Sequence, residues 1–347
     1  MRGAGSRVPF LLSSAVAFCL LGAASPARAC DSTACAVAMR YVDGPLTGGG
    51  WRIDVSLRQV DQSRRVTGGR GVQQVFRPRI DLDAGFQPAA HEELRETMSF
   101  VNVDVARGIT PSLSLHATLP MRRTTIESLH YSALVSDGTP VLEGHEHGGG
   151  TGIGAPVAAS NRVGGLGDLQ VGVRGTVVAK MERELILGLT VKLPTGAFDV
   201  AGQDGVVDPM LQPGSGSTDL VGSAQLVEHL GRTTVAATAS FQQATRSSAG
   251  YRHGNEAVLA VSASRRLSPR LTGMLQAKVQ QAGRHTFQGD PVLSTGLTLV
   301  QVVPGARVRL SSRLSGYANM QVPVYMHVNE SQLGPRVTLT AGFATAF

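Results

Sequence analysis

The sequence predicts an all-β fold: a transmembrane, antiparallel, up-and-down β-barrel of about twelve strands, with a signal peptide in front of it. Three observations lead there. From Trp51 to Phe347, apolar residues alternate with small or polar ones at a period of two. The connections between these runs are short and long by turns. Charged residues make up only 16% of the chain and glycine numbers 42, yet no apolar stretch beyond residue 29 is long enough for a membrane-spanning helix. A strand that faces lipid needs an apolar residue only at alternate positions, so low charge without long apolar runs is what a barrel requires. A periplasmic β-sandwich or solenoid is the competing all-β reading. Its water-facing positions would be richer in Lys and Glu than the Gly, Ser, Thr, Ala and Gln present here.

Residues 1–29 read as the signal peptide. Arg2 and Arg7 precede an apolar run from Val8 to Gly22, and Ala27-Arg28-Ala29 makes an A-x-A cleavage site, so the exported chain is expected to begin at Cys30. Of the 32 Lys and Arg, three (Arg2, Arg7, Arg28) lie in this leader and no acid does, leaving 29 bases against 25 acids and lowering the net charge from +7 to +4. The remaining bases are scattered, without aromatic interleaving, which argues against nucleic-acid binding. They suit anionic lipopolysaccharide or a mildly anion-attracting lumen. Cys30 and Cys35 enter an oxidising compartment and read as a small disulfide loop. Lipidation of Cys30 is the rival reading, but the triplet before it lacks the usual leucine. Residues 30–50 form either a periplasmic tether or a plug inside the barrel.

The barrel itself is assigned to residues 51–347. The alternation marks strands at Trp51 to Val60, Met98 to Arg107, Leu113 to Pro120 and Leu169 to Val177, then at Leu185 to Leu193, Asp219 to Leu230, Thr233 to Gln243 and Glu256 to Arg266. The last four are Leu271 to Gln281, Leu293 to Leu310 with an interruption at Pro304-Gly305, Leu314 to Tyr325 and Val337 to Phe347. The clearest sets Leu185, Leu187, Leu189, Val191 and Leu193 against Ile186, Gly188, Thr190 and Lys192. Short turns fall at Gly108 to Thr110, Lys180 to Arg183, Gly231-Arg232, Ser268-Pro269 and Ser311 to Arg313. Long connections are Asp61 to Thr97, Met121 to Gly167, Thr195 to Thr218, Ala244 to Asn255, Ala282 to Val292 and Met326 to Arg336. Short periplasmic turns and longer outer loops characterise outer-membrane barrels, and an even strand number puts both termini on the periplasmic side. The last strand ends on Phe347, a terminal aromatic similar to the signal read by the barrel-assembly machinery.

Strand parity points Asp54, Arg58, Asp104, His116, Gln170, Arg174, Lys192, Gln276, Lys278, Tyr317, Asn319 and Gln321 into the lumen. Their mixed signs suit salt-bridged packing of a narrow pore as well as a selectivity filter.

From residue 165 onward a family resemblance enters. Gly165 to Gly172 (GLGDLQVG), Leu189 to Gly196 (LTVKLPTG), Pro213 to Leu220 (PGSGSTDL), Gly250 to Glu256 (GYRHGNE), Leu267 to Arg270 (LSPR) and Gln321 to Gly334 follow one another in order. This series resembles a transporter family named for the MetA pathway of phenol degradation, over about Gly165 to Phe347. The resemblance implies an outer-membrane barrel that passes a small-molecule solute, often apolar or aromatic. On their own chemistry the Pro- and Gly-rich pieces read as loop geometry.

Catalysis has little to stand on. His116 lies near Ser112 and Ser114, but nothing organises a third triad member or an oxyanion hole, so the chain reads as a non-enzyme with no cofactor. Gly148 to Gly150 lacks the lysine and helix of a phosphate loop. Glu143, His145 and His147 could share a transition metal, because alternate positions of an extended loop point the same way. The plain alternative is a solvated polar loop.

Overall fold

The computed structural model describes residues 46, 48–76, 79–81, 85–87, 91–130, 133–134, 140–141, 157–202, 205–206 and 208–347. The leader, Cys30, Cys35 and the three residues Glu143, His145 and His147 lie outside the described residues.

Among the described residues, twelve antiparallel strands close into one barrel. The first four are β1 (Trp51–Thr67), β2 (His91–Thr110), β3 (Leu113–His130) and β4, whose two segments, Val157–Leu166 and Gln170–Ala179, both lie along β3. Next come β5 (Arg183–Lys192), β6 (Asp219–Leu230), β7 (Thr233–Gln243) and β8 (Glu256–Arg266). The last are β9 (Leu271–Ala282), β10 (Leu297–Arg309), β11 (Leu314–Val328) and β12 (Ser331–Ala346). Each strand pairs with the next, and β12 returns to β1 in a register that sets Val55 opposite Phe343 and Leu57 opposite Ala341. The tight turns gather at one end. There, Trp51 and Phe347 exchange backbone hydrogen bonds of 2.7 and 3.0 Å, so both ends of the described barrel meet beside the turns.

Burial is inverted relative to a water-soluble protein. Val55, Leu57, Leu115, Leu187, Leu189, Leu259, Val261 and Phe343 are exposed, whereas Lys278, Gln280, Gln301 and Gln321 are fully buried. Soluble monomers rarely expose more than a few hundred Å² of contiguous apolar surface. A greasy band of this kind around the barrel is stable only against hydrocarbon, and the polar side chains turn inward because lipid cannot solvate them. The barrel therefore crosses a membrane with its strands.

The structure differs from the sequence reading at strand ends. β1, β2, β3 and β12 run further than expected, and the connection expected from Met121 to Gly167 contains strand at Met121 to His130 and Val157–Leu166. These extensions carry Arg64, Arg65, Arg95, Arg122, Arg123, Glu127 and Arg162, and period two fades where neither face meets lipid. The interruption expected at Pro304-Gly305 affects one side only. Pro304 stays paired with Leu275 of β9, and the β11 ladder skips from Val302–Val322 to Gly305–Asn319, because proline has no N–H to donate.

Candidate functional site

The lumen is filled unevenly. Toward the tight-turn end, alternate residues of nine strands enclose a cavity of about 270 Å³. Arg52, Asp54 and Arg58 reach it from β1, Asp104 from β2, His116 from β3, Arg174 from β4, Gln276 from β9 and Arg307 from β10; Tyr317, Asn319 and Gln321 come from β11. Its polar groups hold one another. Tyr317 donates to Asp54 Oδ1 at 2.7 Å, Thr118 donates to Asp104, and His116 Nε2 lies 3.0 Å from Thr190 Oγ1. Arg58 stacks over the Phe100 ring at 4.3 Å and Arg307 over the Tyr317 ring at 5.6 Å, so each planar cation is braced by an aromatic face.

At mid-height, Lys278 donates to Gln321 Oε1 at 2.7 Å and Gln280 donates to Glu256 at 3.2 Å. Both donors are fully buried, so these side chains take up barrel interior.

Above this belt the β5–β6 connection folds into the barrel. Residues 209–215 are buried without a break, which a surface loop cannot be. The backbone polar groups carried inside must find partners, and they do. Arg122 donates to the carbonyls of Met210 and Gln212, each at 3.1 Å, while the Gln212 amide holds the Val200 backbone with two bonds of 3.0 Å. The anchor is Asp168. β4 carries one extra residue opposite β3 between Leu166 and Gln170, and this bulge aims the Asp168 side chain inward. Its carboxylate accepts from the Gly196 N–H at 3.0 Å, the Ser215 N–H at 2.9 Å and Ser215 Oγ at 2.6 Å. Lys192 Nζ stands 3.4 Å from Asp168 and 2.6 Å from Asp219, and it donates to Ser215. Asp219 also accepts from Ser217 at 3.0 Å and Gln242 at 2.8 Å.

Two glycines let the backbones meet. A Cβ on Gly196 would sit 2.7 Å from the Gly167 carbonyl carbon and 2.8 Å from Gly214 Cα. Beside the loop, Met210, Tyr251, Phe287 and Val292 form an apolar cluster, with Phe198 packed on it. Tyr251 OH meets His285 Nδ1 at 2.6 Å, and the His253 ring lies 4.9 Å from that of His285. A second cavity of about 130 Å³ remains between this loop and the mid-height belt, lined in part by Arg58, Gln170, Lys192, His253 and Glu256.

Sequence parity named Lys192 and Gln170 but missed Asp168, Ser215, Asp219, Arg122 and Glu256. The pieces GLGD, LPTG, PGSGSTD and GYRHGNE, read as loop geometry, converge on this one place. A signal was present: two acids, Asp168 and Asp219, flank strands at the height of Lys192. Among the described residues, no group of three or more His, Cys, Asp and Glu is arranged to hold a metal ion.

No family model and no curated protein matches the chain. Solved structures do. An outer membrane channel from Pseudomonas putida F1 aligns over 88% of this chain and 100% of its own, at 12% identity and a TM-score of 0.56. The translocator domain of the autotransporter NalP from Neisseria meningitidis (15% identity, 90% and 93% coverage) and the P. putida toluene transporter TodX (11%, 87% and 91%) give TM-scores of 0.43 and 0.42. At these identities the first likeness establishes shared barrel architecture, and the chain is a closed, membrane-spanning barrel of that kind.

Proposed function

We propose that this protein is an exported outer-membrane barrel through which small solutes pass passively, with the β5–β6 loop closing the lumen toward the long-loop end. The observation that carries the reading is the chamber of about 270 Å³ beneath a buried, hydrogen-bonded loop inside a closed apolar-coated barrel. A barrel of about twelve strands encloses a narrow lumen and not a wide aqueous pore. The side chains Asp54, Arg58, Asp104, His116, Arg174, Gln276, Tyr317, Asn319 and Gln321 would line the inner chamber of the path, and Gln170, Lys192 and Lys278 would frame the constriction. Barrel architecture shared with an outer membrane channel supports the same reading.

Reconstituted protein is expected to give small single-channel conductance or slow solute flux in liposome swelling. Lys192→Glu should raise that conductance and shift preference toward cations, because it places a third carboxylate beside Asp168 and Asp219. A correctly folded barrel that conducts nothing and admits no small solute would overturn the channel reading.

A further inference from the structure

The charges of the lumen are not evenly spread along it. At the constriction, Lys192 faces Asp168 and Asp219, while Lys278 shares its belt with Glu256. The inner chamber is different. Four guanidinium groups, those of Arg52, Arg58, Arg174 and Arg307, line it against two carboxylates, Asp54 and Asp104. Counting the arginines and aspartates, this lining carries a formal charge of +2. Tyr317 and Thr118 already donate to those two carboxylates, which further disperses their charge.

We propose that the inner chamber is a binding site for a small organic carboxylate with an apolar body. Arginine presents a planar fork of donors that matches a carboxylate. The four lie on β1, β4 and β10, so no single strand supplies them and an anion entering the chamber meets cations on separate walls. The other half of the recognition is apolar: the side chains of Ala106 and Met274 and the ring of Tyr317 face the same space. A bare inorganic anion would leave that apolar lining unused, and a neutral aromatic would bring no negative charge to a lining whose formal charge is positive. At about 270 Å³ the space lies just below ordinary ligand pockets, which run from about 300 Å³ upward, so the ligand is limited to one small ring or a short chain.

This names the solute class for the channel proposed above and rests on that reading for its purpose. Its test reads binding, not flux, so the two can fail separately. The full folded barrel in detergent is titrated by calorimetry with benzoate, with benzyl alcohol as the neutral counterpart, and with inorganic phosphate. Benzoate is expected to bind at least about tenfold more tightly than either, a difference of one hydrogen-bonded charge. The double variant Arg174→Gln/Arg307→Gln should lose most of that margin, whereas Arg174→Lys/Arg307→Lys should retain part of it. A heat-modifiable gel shift in each variant certifies the fold. Equal binding of benzoate and benzyl alcohol, tighter binding of phosphate, no benzoate binding by the folded protein, or unchanged affinity in the Gln variant would each overturn the proposal.

Discussion

Lys192 shows how one side chain can tie a loop to a wall. It is nearly buried, paired with Asp168 and Asp219, and bonded to Ser215 of the inserted loop. Removing one member of a buried ionic cluster leaves the rest without compensation, which costs about 3–5 kcal/mol. Lys192→Met is therefore expected to strand two buried carboxylates and release the loop while leaving the lipid-facing surface intact. Limited proteolysis of outer-membrane vesicles checks this: residues 208–217 should become cleavable in the variant and stay protected in the parent. Equal protection would mean that Arg122, Gln212 and the glycine contact hold the loop without the lysine.

At the scale of elements, the loop owes its position to close backbone approach as much as to charge. Gly196→Val would drive a branched side chain into Gly167 and Gly214, so it should lift the loop and increase conductance without altering barrel assembly. Single-channel recording alongside a gel-shift control decides this. A second element, the β11–β12 turn, is clamped differently. Glu330 adopts a φ of 39°, and its carboxylate takes both Arg284 Nη groups at 2.9 and 2.5 Å and the Ser294 N–H at 2.8 Å. Partial burial pushes the Glu330 carboxyl up, but the bonds from Arg284 and Ser294 outweigh it and hold the group below the ordinary range. A depressed folded value means that the stabilisation is fully present above the unfolded glutamate value of about 4.3 and is lost as pH falls through the folded one. The pair is partly solvated, so its worth is at most about 1 kcal/mol. Glu330→Gln should lower unfolding stability slightly at pH 7, and the difference should shrink as the pH is lowered through the folded value, as denaturant titrations at a series of pH values would reveal.

For the whole molecule, the exposed band of Leu, Val and Phe predicts that the protein sediments with outer membranes, resists carbonate extraction and migrates differently before and after boiling. Release as a soluble protein would contradict this. A charge placed on the band should act against insertion: Leu189→Arg, at an exposed site amid the β5 ladder, should cost about 2–4 kcal/mol if it lies near the bilayer midplane. Folding titrations into lipid vesicles measure that cost. Phe347, half-exposed beside Trp51, closes the ring through backbone bonds, and its deletion is expected to lower the yield of assembled barrel.

The sequence alone determined the barrel. All twelve strands, their antiparallel order and their tight turns follow from alternation, because lipid on one side imposes an apolar residue at every second position, strand after strand. Where that solvent constraint ends, so does legibility: the extensions of β2 and β3 beyond the lipid-facing band carry charged and polar residues without apolar alternation, and Pro304 looked like a break when it spares one of its two ladders. Tertiary structure alone decided what occupies the lumen. Asp168 and Ser215 are 47 positions apart, and whether a Gly- and Pro-rich connection lies over water or folds inward depends on whether distant donors and acceptors, Arg122, Lys192 and the bulge at Asp168, stand ready to satisfy its backbone. Local pattern carries no record of such a meeting, since the same glycines and serines that let the loop dock would equally let it float in solvent.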